Sequence, residues 1–189
     1  VKEILSDVDF EDLDIKLYRV KVDLKCNIAG VRNLGASECK TPYLVILDMD
    51  TVISPEMATS LVDLANNNIE NRQAFKFLRK VLDDPTHKKN NDQHPAVCLI
   101  RKKDYWDIGG CEEDLVGSYG FTDPSFWHRA RQKKLKVKVD KDIRLFFFPD
   151  AEADISRNHK RNCGIHYSKV KSGNWSTDFI RFEWEILER

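Results

Sequence analysis

The stretch that most restricts this chain is "PYLVILDMDTVISPE", Pro42 to Glu56. Its apolar run is too short for a helix and fits a strand buried on both faces. The run ends in Asp48-Met49-Asp50, which puts two carboxylates one residue apart where a strand gives way to a turn. In an open α/β sheet, ligands bind beyond the carboxyl ends of strands. Two carboxylates there can offer oxygens to a hard divalent cation and leave coordination sites for phosphate. The bland alternative is a pair of turn residues, because Asp is common in turns. An EF-hand is excluded, since the third ligand position and the turn glycine are absent.

The rest of the chain alternates strand-like and helix-like segments. Asp14–Asp23 alternates apolar and polar residues as a strand does. Asn27–Lys40 spaces Ala29, Val31, Leu34, Ala36 and Cys39 as a helix, with Gly30 and Gly35 suited to close packing. Ser54 as N-cap, Pro55 at the first position and Glu56 in the first turn open a second helix. "QAFKFLRKVL" and "AVCLIRK" read as strands, separated by a flexible loop at residues 83–94 that has no core-forming residues. "DYWDIGGCEED" reads as a turn with paired glycines. "DPSFWHRARQKKL" reads as a helix capped by Asp123, and "KVKVD" and "IRLFFFPD" as two further strands. Val1–Asp12 reads as a helix end or connector. The tail from Ala151 is polar and closes in "FIRFEWEILER", either helix or strand and suited to core packing or a docking face. Such alternation implies one α/β domain with a mixed, mostly parallel central sheet flanked by helices.

Composition narrows the function classes. Of 189 residues, 41% are hydrophobic and 33% charged, and Lys+Arg (31) equals Asp+Glu (31). No basic field points to nucleic acid, and no apolar run approaches the ~20 residues that span a bilayer. The charged start is unlike a signal peptide. Cys26, Cys39, Cys98, Cys111 and Cys163 are widely spaced with no CxxC, so reduced thiols in a cytoplasmic setting are expected and a zinc site is not.

A second segment, "DYWDIGGCEEDLVGSYGFTDPSFWHRA" (Asp104–Ala130), combines glycines, aromatics and carboxylates. It is either an acidic surface loop with Asp123 as a helix cap, or an aromatic wall holding one oriented carboxylate suited to general-base work.

Together these blocks resemble family 2 glycosyltransferases of the GT-A fold. Gly30, Arg32, Asn33 and Gly35 precede the Asp48-x-Asp50 strand end as in that family. Gly109, Gly110, Glu113, Tyr119, Gly120, Asp123, Phe126 and Arg129 match its later block. The resemblance covers roughly Ile15 to Val139. It implies a Rossmann-like GT-A domain that moves a sugar from a nucleotide-diphosphate donor to a glycan or other hydroxyl acceptor with inversion, as in polysaccharide biosynthesis. In that picture Asp48 and Asp50 hold Mn²⁺ or Mg²⁺ on the diphosphate, and Arg32 and Asn33 lie on the donor side. Trp106, Gly109, Gly110, Glu112 and Glu113 line the acceptor and donor-sugar pocket. Asp123 is the base, with Glu113 as second candidate.

The chain departs from the family at Cys111, Glu112 and Thr122. His159 or His166 could supply a third metal ligand, or be solvated; Lys160, Arg161 and Lys169 form either a basic lid or a solvated face. His87, His94 and His128 carry no partner pattern. The family's opening strand-helix-strand has no counterpart before Asp14, so the domain is expected to be N-terminally incomplete and to belong to a longer protein. The alternatives are a non-catalytic glycan- or partner-binding module of this fold and a sugar nucleotidyltransferase, although the latter's Gly-rich basic signature is not visible.

Overall fold

The computed structural model describes residues 15–68, 72–82, 84–148 and 158–187, so Val1–Asp12 lies outside the described residues. In chain order the elements are β1 (Leu17–Val20), α1 (Ile28–Glu38), β2 (Tyr43–Ile46), β3 (Thr51–Val52) and α2 (Pro55–Asn68). They continue with β4 (Gln73–Val81), β5 (Gln93–Arg101), α3 (Lys102–Asp107), a 3-10 turn at Glu113–Leu115 and α4 (Thr122–Gln132). β6 (Lys136–Phe147), α5 (Lys160–Ser172) and β7 (Trp184–Leu187) complete the order.

Five strands form the central sheet in the order β2-β5-β4-β6-β3. The expectation of a mostly parallel sheet is overturned: β4 and β6 run parallel, while β2–β5, β4–β5 and β3–β6 are antiparallel. The physical reason is the connection between β4 and β5. It is a run of turns rather than a crossover helix, and a strand pair joined without a crossover must reverse direction. That connection is shorter than the expected loop, because Gln93 and His94 already belong to β5. It is tied by Val81 N donating to Asn90 Oδ1 at 2.7 Å and Asn90 Nδ2 donating to Asp84 O at 2.8 Å.

Side chains alternate across the sheet and build a core on each face. Ala74, Cys98 and Ile100 face α1, α3 and α4, packing with Ala29, Tyr105, Phe126 and Ala130. Phe75, Phe77, Val97 and Leu99 face the other way, against Leu61, Leu64 and Ala65 of α2 and Ile143 and Leu145 of β6. Burial on both faces explains why these strands carry continuous apolar runs even though the sheet is largely antiparallel. Phe77, fully buried, contributes on the order of 2–3 kcal/mol by leaving water.

Other expectations hold or shift in detail. Ser54 caps α2, its Oγ accepting from Met57 N at 3.3 Å. Gly30 is needed for packing, since a Cβ would stand 2.3 Å from Asn27 Oδ1 and 2.5 Å from Phe182; at Gly35 a Cβ would meet nothing. The two strands expected after α4 are one strand, interrupted where the register jumps from Asp140 to Arg144 opposite Phe77 and Leu78. The closing segment is a strand, β7, which pairs antiparallel with β1 as a separate two-stranded sheet. Helix α5, inside the tail read as merely polar, is an addition. All five cysteines are free, and no helix among the described residues is long and apolar enough to cross a membrane.

Candidate metal and donor site

β2 lies at one edge of the sheet and β3 at the other, so the residues between Ile46 and Thr51 carry the chain across the strand ends. Because β2 runs antiparallel to β5, its continuation travels toward the start of β5, where His94 sits. Asp48, Asp50 and His94 come together as a result, with one potential ligand atom from each lying within 4.8 Å of the others. His94 is 3% exposed. Its Nδ1 accepts from Ala96 N at 3.3 Å and Val97 N at 3.2 Å, so Nε2 is the nitrogen left for other partners. Those two bonds are long and share one lone pair, a weak hold on the tautomer. Burial pushes the His94 pKa down while Asp48 and Asp50 oppose it, and the net shift favours the neutral imidazole that ligates metals.

α1 delivers Arg32 into the same place. Its Nη2 donates to Asp48 Oδ1 at 2.6 Å and its Nη1 donates to Asp123 Oδ1 at 2.7 Å. The guanidinium side chain is 11% exposed, against 33% for Asp48 and 28% for Asp123. Burial alone would lower the Arg32 pKa, but the carboxylates of Asp123 and Asp48 outweigh it and raise the pKa, so the cation is permanent. Asp123 is not the N-cap expected from sequence. Phe121, in the left-handed region at φ +65, occupies that position without a side-chain cap, and Asp123 lies in the first turn of α4. The first-turn position points the carboxylate toward Arg32 and keeps it near the positive end of the helix.

The other expected site residues divide differently. Asn33 is fully buried: Nδ2 donates to Cys111 O at 2.9 Å and Glu113 Oε1 at 2.7 Å, and Oδ1 accepts from Tyr105 Oη at 2.6 Å and Cys111 N at 2.8 Å. Its hydrogen-bonding capacity is filled by the protein, so it braces the glycine turn instead of facing the donor. Glu112, also fully buried, accepts from Ser176 N at 3.0 Å, Ser176 Oγ at 2.5 Å and Asp114 N at 3.1 Å. Glu113 accepts from Ile180 N at 2.7 Å and Arg181 N at 3.1 Å. Both glutamates anchor the C-terminal segment to this turn, an arrangement that suits neither acceptor binding nor general-base work.

Gly109 and Gly110 adopt φ +92 and +58, which lets their carbonyls turn to Arg129. Trp106 packs on Tyr105 at 5.2 Å and Phe179 at 5.5 Å between ring centroids. His159 stacks beside Phe121, ring centroids 5.9 Å apart, and is not a member of the Asp48–Asp50–His94 group. His94 was missed in the sequence because its partners lie on a distant segment; its place at the head of an apolar strand is a signal that could have drawn attention to it.

No family model matches the chain, and no curated protein matches it. Solved structures do. The catalytic domain of Drosophila β1,4-galactosyltransferase 7 in complex with xylobiose aligns with a TM-score of 0.53 at 15% identity, over 75% of this chain and 61% of that one. A mutant of that Drosophila protein in complex with manganese, UDP-Gal and xylobiose aligns with a TM-score of 0.45 at 14% identity, over 74% and 51%. The chain thus spans between about half and three-fifths of the solved chains it matches. At this identity the likeness is one of architecture, a GT-A-like mixed α/β fold.

Proposed function

We propose that this chain is the catalytic part of a metal-dependent, inverting glycosyltransferase that takes a nucleotide-diphosphate sugar as donor and a glycan or other hydroxyl as acceptor. The observation that carries this reading is the charge balance at the strand ends. Asp48, Asp50 and Asp123 bring three carboxylates there, and Arg32 is the cation bonded to Asp48 and Asp123. The two negative charges left over are what a divalent cation neutralises. Two carboxylate oxygens and one imidazole nitrogen fit Mn²⁺, and fit Mg²⁺ less well because of the nitrogen. Asp48, Asp50 and His94 would hold the cation, and its positive charge would offset the charge of a leaving diphosphate.

Arg32 holds Oδ1 of both Asp48 and Asp123. Oδ2 of each receives no hydrogen bond among the described residues, which leaves one oxygen for the metal and one for chemistry. Asp123 takes the proton of the acceptor hydroxyl as that oxygen attacks the anomeric carbon from the face opposite the diphosphate. The bond from anomeric carbon to diphosphate oxygen breaks, its electron pair leaves on the phosphate, and the configuration inverts. The fold likeness to a galactosyltransferase catalytic domain supports the class.

The test is release of nucleoside diphosphate from a panel of UDP-, GDP- and dTDP-sugars with Mn²⁺. One donor should be turned over, and Asp48→Asn with Asp50→Asn should abolish it while the chain stays folded. Normal Mn²⁺-dependent turnover in that double variant would refute the metal assignment. Turnover of no donor by the parent chain would favour the non-catalytic glycan-binding alternative.

A further inference from the structure

A second opening shares Asp123 with this site but none of Asp48, Asp50 and His94. It is a cleft of about 300 Å³ between the β4–β5 pair and helices α4 and α5, walled by Lys76, Pro95, Trp127, His128, Arg131 and His166. Its charge is unbalanced. Asp123, the carboxylate on its wall, is already bonded to Arg32, whereas neither Lys76 nor Arg131 forms an ion pair among the described residues. Arg131 is exposed, where a lone cation is ordinary. Lys76 is half-buried, and its Nζ stands 5.0 Å from the centroid of the Trp127 ring. That ring is pinned by its Nε1 donating to Pro95 O at 2.8 Å.

Burial lowers the Lys76 pKa; the carboxylate of Asp123 pulls against it, and Arg131 adds a smaller push in the same direction as burial. A desolvated ammonium beside a second cation gains from an anion placed between them.

We propose that this cleft is an acceptor subsite for a sugar carrying an anionic substituent, a carboxylate or a phosphate, held between Lys76 and Arg131 with its reacting hydroxyl toward Asp123. The word acceptor rests on the glycosyltransferase reading; the binding itself needs neither metal nor donor. Lys76 and Arg131 are specificity-determining residues in this arrangement, because a neutral sugar of the same shape leaves both cations unpaired.

The experiment titrates the intact chain, without metal or sugar nucleotide, with glucuronic acid, glucose 6-phosphate and glucose, following amide NMR shifts. One of the two anions should bind at least tenfold more tightly than glucose, and which one does so identifies the substituent. Lys76→Met and Arg131→Gln should each reduce that preference severalfold, and Lys76→Arg should keep it, which separates lost charge from lost fold. Equal binding of all three sugars, or an unchanged preference in Lys76→Met, would overturn the subsite. The two readings fail separately: an inactive metal site leaves anion binding intact, and absent anion selectivity leaves donor turnover intact.

Discussion

The guanidinium of Arg32 donates to Asp123 Oδ1 at 2.7 Å across 91 positions of sequence. With its other terminal nitrogen on Asp48, this arginine joins the strand end proposed to hold the metal to the helix proposed to carry the base. Neutralising it leaves two like charges facing each other at a half-buried place. Arg32→Met should therefore destabilise the chain by about 1–3 kcal/mol, less than a fully buried pair because both aspartates are partly solvated. Arg32→Lys should recover part of the stability and little of the activity, since an ammonium cannot span both carboxylates in a planar fork. Urea unfolding of the two variants checks the first point and donor turnover the second.

Asn33 offers a contrasting expectation. Its four hydrogen bonds tie α1 to Tyr105, Cys111 and Glu113. Asn33→Ala strands several buried partners at once and should cost on the order of 3 kcal/mol. The loss should appear in urea unfolding, while Mn²⁺ affinity of the folded fraction stays near that of the parent.

Gly110 has φ +58, and a Cβ there would stand 2.7 Å from Asn33 Oδ1. Left-handed backbone alone costs alanine roughly 1–2 kcal/mol, and displacing Asn33 adds to it. Gly110→Ala should lower the thermal midpoint more than Gly117→Ala, where φ is also positive but the space is open. Equal shifts in a melting comparison would remove the steric part of this explanation.

His166 gives a pH dependence with a definite sign. Burial, then His128, holds its pKa below the ordinary 6.5, while Ser125 Oγ lies 2.8 Å from Nδ1. As pH falls below about 6.5 the unfolded chain binds a proton that the folded chain refuses until lower pH, so stability declines through that window. Above 6.5 both states are neutral at this residue and the contribution is complete. His166→Gln should make unfolding free energy less steep in pH below about 6.5. Urea denaturation across that range measures it. His94 shifts in the same direction, so part of the slope should remain.

Much of this was legible in the sequence where local chemistry decides. The apolar run of β2 ending in two carboxylates, the Ser54–Pro55 start of α2 and the helix carrying Arg32 all depend on neighbours within a few residues. Sheet direction was not legible, because β4 and β5 are buried on both faces and read as parallel strands do. The helix-free connection between them was the available clue to reversal. His94 gave no sign of its partners, which the fold supplies from the crossing chain. Asn33 and Glu113 match a family pattern and Glu112 departs from it, yet in this structure all three polar groups turn inward to brace the glycine turn and the C-terminal segment. Residue type alone does not distinguish a carboxylate that faces a ligand from one that accepts backbone N–H groups. Helix α5 was hidden by its polarity; Asn162 fastens it to Leu115, Ser118 and Gly120 through backbone carbonyls.

The most direct measurement is thermal unfolding of the chain with Mn²⁺ and each sugar nucleotide in turn, alongside Asp50→Asn. Ligand that binds the folded state raises the midpoint by an amount that grows with the logarithm of its concentration relative to its dissociation constant. The account expects Mn²⁺ with one donor to raise the midpoint of the parent chain by several degrees and to leave Asp50→Asn unmoved. A parent chain that ignores every donor in the presence of Mn²⁺, or an Asp50→Asn chain that responds as the parent does, would contradict it.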